Sequence, residues 1–145
     1  MTIGQRTTID NIHFFLSIVL FPVPYIRRIL ARHFLTIPDS CSTDETVGNY
    51  IALQHYLPEV MQEPVLLRTF LTKGLIHPNN TIRLQAINLI LLLYLQDYIQ
   101  PLQRIASHGK TKEERDQAKS TISLLRHPSQ VRRDRHGIVK EVLVS

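Results

Sequence analysis

Seven histidines, one cysteine and a run of arginines are the side chains best suited to chemistry in this 145-residue sequence. His13, His33, His55, His77, His108, His127 and His136 are scattered along the chain. No pair stands at i, i+4 with a carboxylate between, the spacing by which one helical face presents two imidazoles to zinc. Cys41 lies between Ser40 and Ser42 in a loop-like stretch, without the glycine elbow or partner base that would activate a nucleophile. The glycines at 4, 48, 74, 109 and 137 are isolated and build no loop that could cradle a phosphate. The residue types therefore predict a protein that is not an enzyme and has no cofactor or metal.

The basic residues are the strongest candidates for contact with a partner. Arg126-His-Pro-Ser-Gln-Val-Arg-Arg-Asp-Arg-His136 holds four Arg and two His in eleven residues. Lys110, Lys112, Arg115 and Lys119 precede it, and with Arg126, Arg132, Arg133 and Arg135 they form the candidate contact set for a partner protein or nucleic acid. Clustered cations gain affinity for a phosphate backbone by releasing its counterions. Residues 99 to 145 contain no Phe, Tyr or Trp on which bases could stack, and Glu113, Glu114, Asp116 and Asp134 break the positive field. A solvated, salt-bridged surface and an acidic protein partner compete with the nucleic-acid expectation. Arg27, Arg28 and Arg32 form a smaller strip of the same kind.

The formal charge of +5 is uneven, at +3 over residues 1 to 38, −3 over 39 to 80 and +5 over 81 to 145. Such a balance permits an anionic partner without demanding one. A single cysteine excludes an internal disulfide framework and points to an intracellular setting, cytoplasmic or nuclear. The apolar run from Ile12 to Ile26 is the one segment suited to targeting or membrane association. Asp10 beside it, Pro22 and Pro24 within it, and the lack of a small-x-small cleavage site weigh against a signal peptide. Ile87 to Leu95 is shorter than the ~20 residues needed to cross a bilayer.

Hydrophobic content of 43% suffices for a real core, and the elements that would form it have helical periodicity. Helices are expected over Thr8 to Leu20 and over Tyr25 to Leu35, the latter with Ile26, Ile29, Leu30 and Phe34 on one face. A third, capped by Ser42 or Thr43, runs to about Leu57 where Pro58 stops it; Pro64 opens a fourth that ends at Gly74 as a C-terminal cap. Thr81 to Leu95, Tyr98 to Ser107 and Thr111 to Leu125 follow, and Thr111-Lys-Glu-Glu114 is a capping box. Gln130 to Val144 could be helix or strand. One domain over residues 1 to 145 is the simplest count, with a fragment of a longer array as the alternative.

Turn and helix recur. Ile82-Arg83-x-x-Ala86 and Glu114-Arg115-x-x-Ala118 place their arginines 32 residues apart, which suits a helical hairpin, whereas Val131-Arg132 follows only 17 later. Leu75-Ile-His-Pro-Asn-Asn-Thr-Ile-Arg-Leu-Gln-Ala-Ile-Asn-Leu89 resembles the turn and second helix of a HEAT repeat, a family related to armadillo repeats. Ile82, Arg83, Ala86 and Leu89 carry the resemblance, best over residues 64 to 125. It implies an all-α fold of stacked antiparallel helical hairpins, as a HEAT-like α-solenoid or an irregular helical bundle. The family's turn often holds an Asp that meets the Arg of a neighbouring repeat, and here Asn79 and Asn80 stand in the turn.

On the helix from Thr81, a narrow polar stripe of Thr81, Gln85, Asn88 and Gln96 is surrounded by apolar residues, so neighbours must cover most of its sides. Arg83 projects opposite that stripe. It is expected to reach a carboxylate or carbonyl in the next layer, or else to enter a ligand groove, so Arg83, Asn79 and Asn80 are candidate structural residues. The functional expectation is a non-enzymatic protein-protein interaction scaffold. The alternatives are a nucleic-acid-binding module using the basic C-terminal third and a small membrane-associated protein held by Thr8 to Phe21. Ile138-Val-Lys-Glu-Val-Leu-Val-Ser145 ends the sequence on apolar residues and suggests self-association or packing on a partner.

Overall fold

A computed structural model describes residues 23–38 and 40–127 of the chain. The helix expected over Thr8 to Leu20, the last segment Gln130 to Val144, and Arg132, Arg133 and Arg135 lie outside the described residues. Those described form an all-α structure with no strand among them. Seven α-helices follow in order: α1 (Val23–Leu35), α2 (Thr43–Leu53), α3 (Leu57–Val60), α4 (Pro64–Leu75), α5 (Asn80–Leu92), α6 (Ile99–His108) and α7 (Lys112–Leu125). A 3-10 turn, Gln96–Tyr98, leads into α6.

Short turns join α4 to α5 and α6 to α7, so each pair folds back on itself as a hairpin. α5 also packs against α2 and α7, while α1 packs against α2, α3 and α4. α2, α5 and α7 thus form one layer. Its centre is α5, where Ile82, Ala86, Ile87 and Ile90 are fully buried and Leu89 nearly so. Each large aliphatic buried there contributes about 1.5–3 kcal/mol of transfer free energy, which explains why a helix with so little polar surface sits in the middle.

Local chemistry fixes most boundaries. Ser42 caps α2 by accepting the Glu45 N–H at 3.1 Å, and Asn79 caps α5 by accepting the Ile82 N–H at 3.2 Å. Thr111 caps α7 through the Glu114 N–H at 3.0 Å. The reciprocal arm of the expected capping box is displaced by one residue, because Glu114 Oε2 accepts from the Lys110 N–H at 2.9 Å rather than from Thr111.

Four expectations need correction. α2 ends at Leu53, before Pro58, which instead occupies the first turn of the separate α3. α5 ends at Leu92 with Tyr94 at φ 53°; Leu95 N–H donates to the Ile90 carbonyl at 3.0 Å and Tyr94 N–H to that of Leu91 at 2.9 Å. These bonds define a Schellman end built on tyrosine instead of glycine. Gly74 is not a cap but a buried residue inside α4, where a Cβ would lie 1.9 Å from the Tyr50 hydroxyl and 2.9 Å from Ala86 Cβ. Finally, the buried face of α1 is set by Ala31 and Leu35, leaving Ile29 47% exposed.

Candidate functional site

Arg83 has a partner that no local pattern names. Its Nε donates to Glu114 Oε1 at 2.9 Å, and its Nη1 donates to the carbonyls of His77 at 2.7 Å and Pro78 at 2.8 Å. Nη2 makes a longer bond, 3.3 Å, to Asn80 Oδ1, which also accepts the Thr111 hydroxyl at 2.9 Å. The Arg83 and Glu114 side chains are 5% and 3% exposed, so this is a desolvated pair whose remaining polar atoms find neutral partners. The carboxylate stands on the next hairpin instead of in the turn. Asn79 and Asn80 occupy the turn position, one as a cap and one as a bridge between the hairpins. Gln117 Nε2, donating to the Leu84 carbonyl at 3.1 Å, makes a second bond between α7 and α5.

The Arg83–Glu114 pair also lies at the base of a groove. Between α4 and α6 the hairpins stand apart, leaving a cleft of about 520 Å³ lined by Leu75, Ile76, Tyr98, Pro101, Arg104, Ile105 and Lys110, with Arg83 and Glu114 beneath. That volume lies within the ~300–1,000 Å³ of ordinary ligand clefts. Ile76 is 74% exposed at its edge. Tyr98 is half-buried; its phenol is held above the ordinary value by burial, with Asp97 acting in the same direction and Arg68 opposing. Arg104 and Lys110 are exposed on the α6 side.

A second, smaller cavity of about 250 Å³ opens between α1, α2 and α4, lined by Ile37, Cys41, Thr46, Tyr50, Phe70 and His77 among others. Cys41 Sγ–H donates to Glu45 Oε2 at 3.4 Å. Desolvation, followed by that bond to a carboxylate, raises the thiol above its ordinary value, opposite to the shift that activates a nucleophilic cysteine. Burial likewise pushes the Tyr50 phenol up. Among the described residues, no three His, Cys, Asp or Glu side chains gather as metal ligands would.

The basic residues singled out from sequence do not form one patch within the described part. Lys110 borders the α4–α6 groove, while Arg115 is half-buried and donates to the Gly109 carbonyl at 2.7 Å. Lys112 is exposed on the first turn of α7. Lys119 and Arg126 come together on a shallow depression between α6 and α7 with Ser123 and His127. The smaller strip on α1 is largely occupied. Arg27 pairs with Glu59 at 3.1 Å, donates to the His55 carbonyl and lies over the Tyr56 ring; Arg28 and Arg32 meet Glu63 at 3.1 and 3.5 Å.

Sequence reasoning missed the groove residues Ile76, Tyr98, Pro101, Arg104 and Ile105. Its walls come from two helices separated by a third, so no short-range spacing encodes it; an isoleucine left over at a helix end was the nearest signal. No family model, curated protein or solved structure matches the chain.

Proposed function

We propose that this chain is a non-enzymatic protein-protein interaction scaffold built on HEAT-like helical repeats. The observation that carries the reading is a residue-by-residue correspondence between the α4–α5 and α6–α7 hairpins at an offset of 32. Asn79 and Thr111 cap the second helices, and Arg83 and Arg115 each donate to the carbonyl six residues back, of His77 and of Gly109. Ala86 and Ala118, Ile90 and Ile122, and Leu93 and Leu125 are buried at equivalent places. Repeats of this kind cannot bury their faces alone, so they stack, and stacking creates long surfaces whose grooves suit extended partners.

A capture experiment with crosslinking, using the full chain and a variant carrying Ile76→Asp and Arg104→Glu, tests the reading. A saturable protein partner present with the native chain supports it. Recovery of nucleic acid instead, with gel-shift affinity lost steeply as salt rises, would replace it with the nucleic-acid reading.

A further inference from the structure

Resting on the scaffold reading, we infer that the groove between α4 and α6 is the docking site, and that its occupant is an amphipathic peptide segment whose apolar residues are flanked by carboxylates. The groove has two chemically different parts. Leu75, Pro101 and Ile105 give it an apolar lining, with Ile76 exposed at the edge, Tyr98 supplying an aromatic wall, and Thr72 and His108 the polar side chains among them. Its rim is cationic, with Arg104 and Lys110 exposed on the α6 side. The carboxylate beneath, Glu114, is neutralised by Arg83, so it does not cancel the rim.

An apolar slot bordered by cations complements a helix that presents apolar residues at i, i+3 and i+4 with Asp or Glu beside them. Tyr98 and Arg104, of residue types often found as energetic anchors at interfaces, both line the groove. A phosphate backbone is the poorer fit. It would leave Ile76, already 74% exposed, and the apolar lining of Leu75, Pro101 and Ile105 without a partner.

The test uses three synthetic 16-residue helical peptides with one apolar pattern and flanking residues of Glu, Gln or Lys, titrated by fluorescence anisotropy into the full chain. The Glu peptide should bind at least 10-fold more tightly than the Lys peptide. Ile76→Asp should weaken the Glu peptide about 10-fold, and Arg104→Glu with Lys110→Glu should reverse the preference toward the Lys peptide. All three substitutions are at exposed positions, and circular dichroism checks that each variant is folded. Affinity independent of flanking charge, unchanged affinity in Ile76→Asp, or no binding by any peptide overturns the groove assignment. So does a random-sequence oligonucleotide that displaces the Glu peptide at lower concentration than the unlabelled peptide itself. The scaffold reading fails separately, on the capture experiment, since a captured partner that crosslinks equally to native and groove-variant chains keeps the scaffold and removes the groove.

Discussion

At the scale of single residues, two close approaches decide how the hairpins meet. Gly74 lies where α4 touches Tyr50 of α2 and Ala86 of α5, so the usual gain from replacing a helical glycine by alanine, up to about 1 kcal/mol, is reversed by overpacking. Gly74→Ala should lower the denaturation midpoint by the equivalent of about 1–3 kcal/mol. The same substitution in a Tyr50→Phe background should cost less, because the hydroxyl at 1.9 Å is gone and the nearest ring atom stands at 3.1 Å. Equal costs in both backgrounds would show that the hydroxyl is not the obstacle. Arg83 and Glu114 obey a different rule, since removing one member of a buried pair strands the other. Arg83→Met alone should cost about 3–5 kcal/mol, and adding Glu114→Leu should recover part of that loss. Additive losses in that double-mutant cycle would mean that the pair is not coupled.

Elements were legible where their chemistry is local. The caps at Ser42 and Thr111 and the buried character of α5 follow from residue types and spacing alone, because a cap is a bond across three positions and a buried helix shows its lack of polar surface. The end of α5 was not legible. Leu91-Leu-Leu-Tyr-Leu95 contains no glycine, yet Tyr94 adopts the left-handed conformation, with its ring packed on the core and its hydroxyl accepting from Gln96 Nε2 at 2.8 Å. Tertiary packing overrides the local preference there. Comparing Tyr94→Gly with Tyr94→Ala isolates the backbone term, as both lose the ring and only alanine retains the Cβ penalty. The glycine variant should be the more stable in thermal or chemical denaturation by about 1 kcal/mol. Alanine equal to or better than glycine would place the cost of this turn elsewhere. The groove, and which carboxylate Arg83 would meet, were illegible for another reason: each joins residues on different hairpins, and without a known turn geometry no spacing along the chain predicts their meeting.

Across the whole molecule, the 32-residue correspondence is informative where it breaks. Leu84, Ile87 and Leu91 of α5 are half-buried or fully buried, and their counterparts on α7 are Asp116, Lys119 and Ser123, all exposed. The two helices keep the same inner face but differ in the outer one, which is apolar on α5 and polar on α7. Lys119 is exposed within that outer face. In proteins built of stacked repeats, a polar outer face of this kind keeps a terminal unit from presenting a sticky end. If the polar stripe does this, then restoring the pattern of α5 with Asp116→Leu, Lys119→Ile and Ser123→Leu should turn α7 into a helix that seeks a neighbour. Sedimentation velocity on the full chain should show concentration-dependent self-association in the triple variant beyond any in the native protein, with helical content retained. A contiguous apolar stripe of that length exceeds the scattered exposed hydrophobics that soluble surfaces tolerate. Should the variant sediment as the native chain does at every concentration, the outer face of α7 is not a stacking surface, and the repeat correspondence would end at the buried positions.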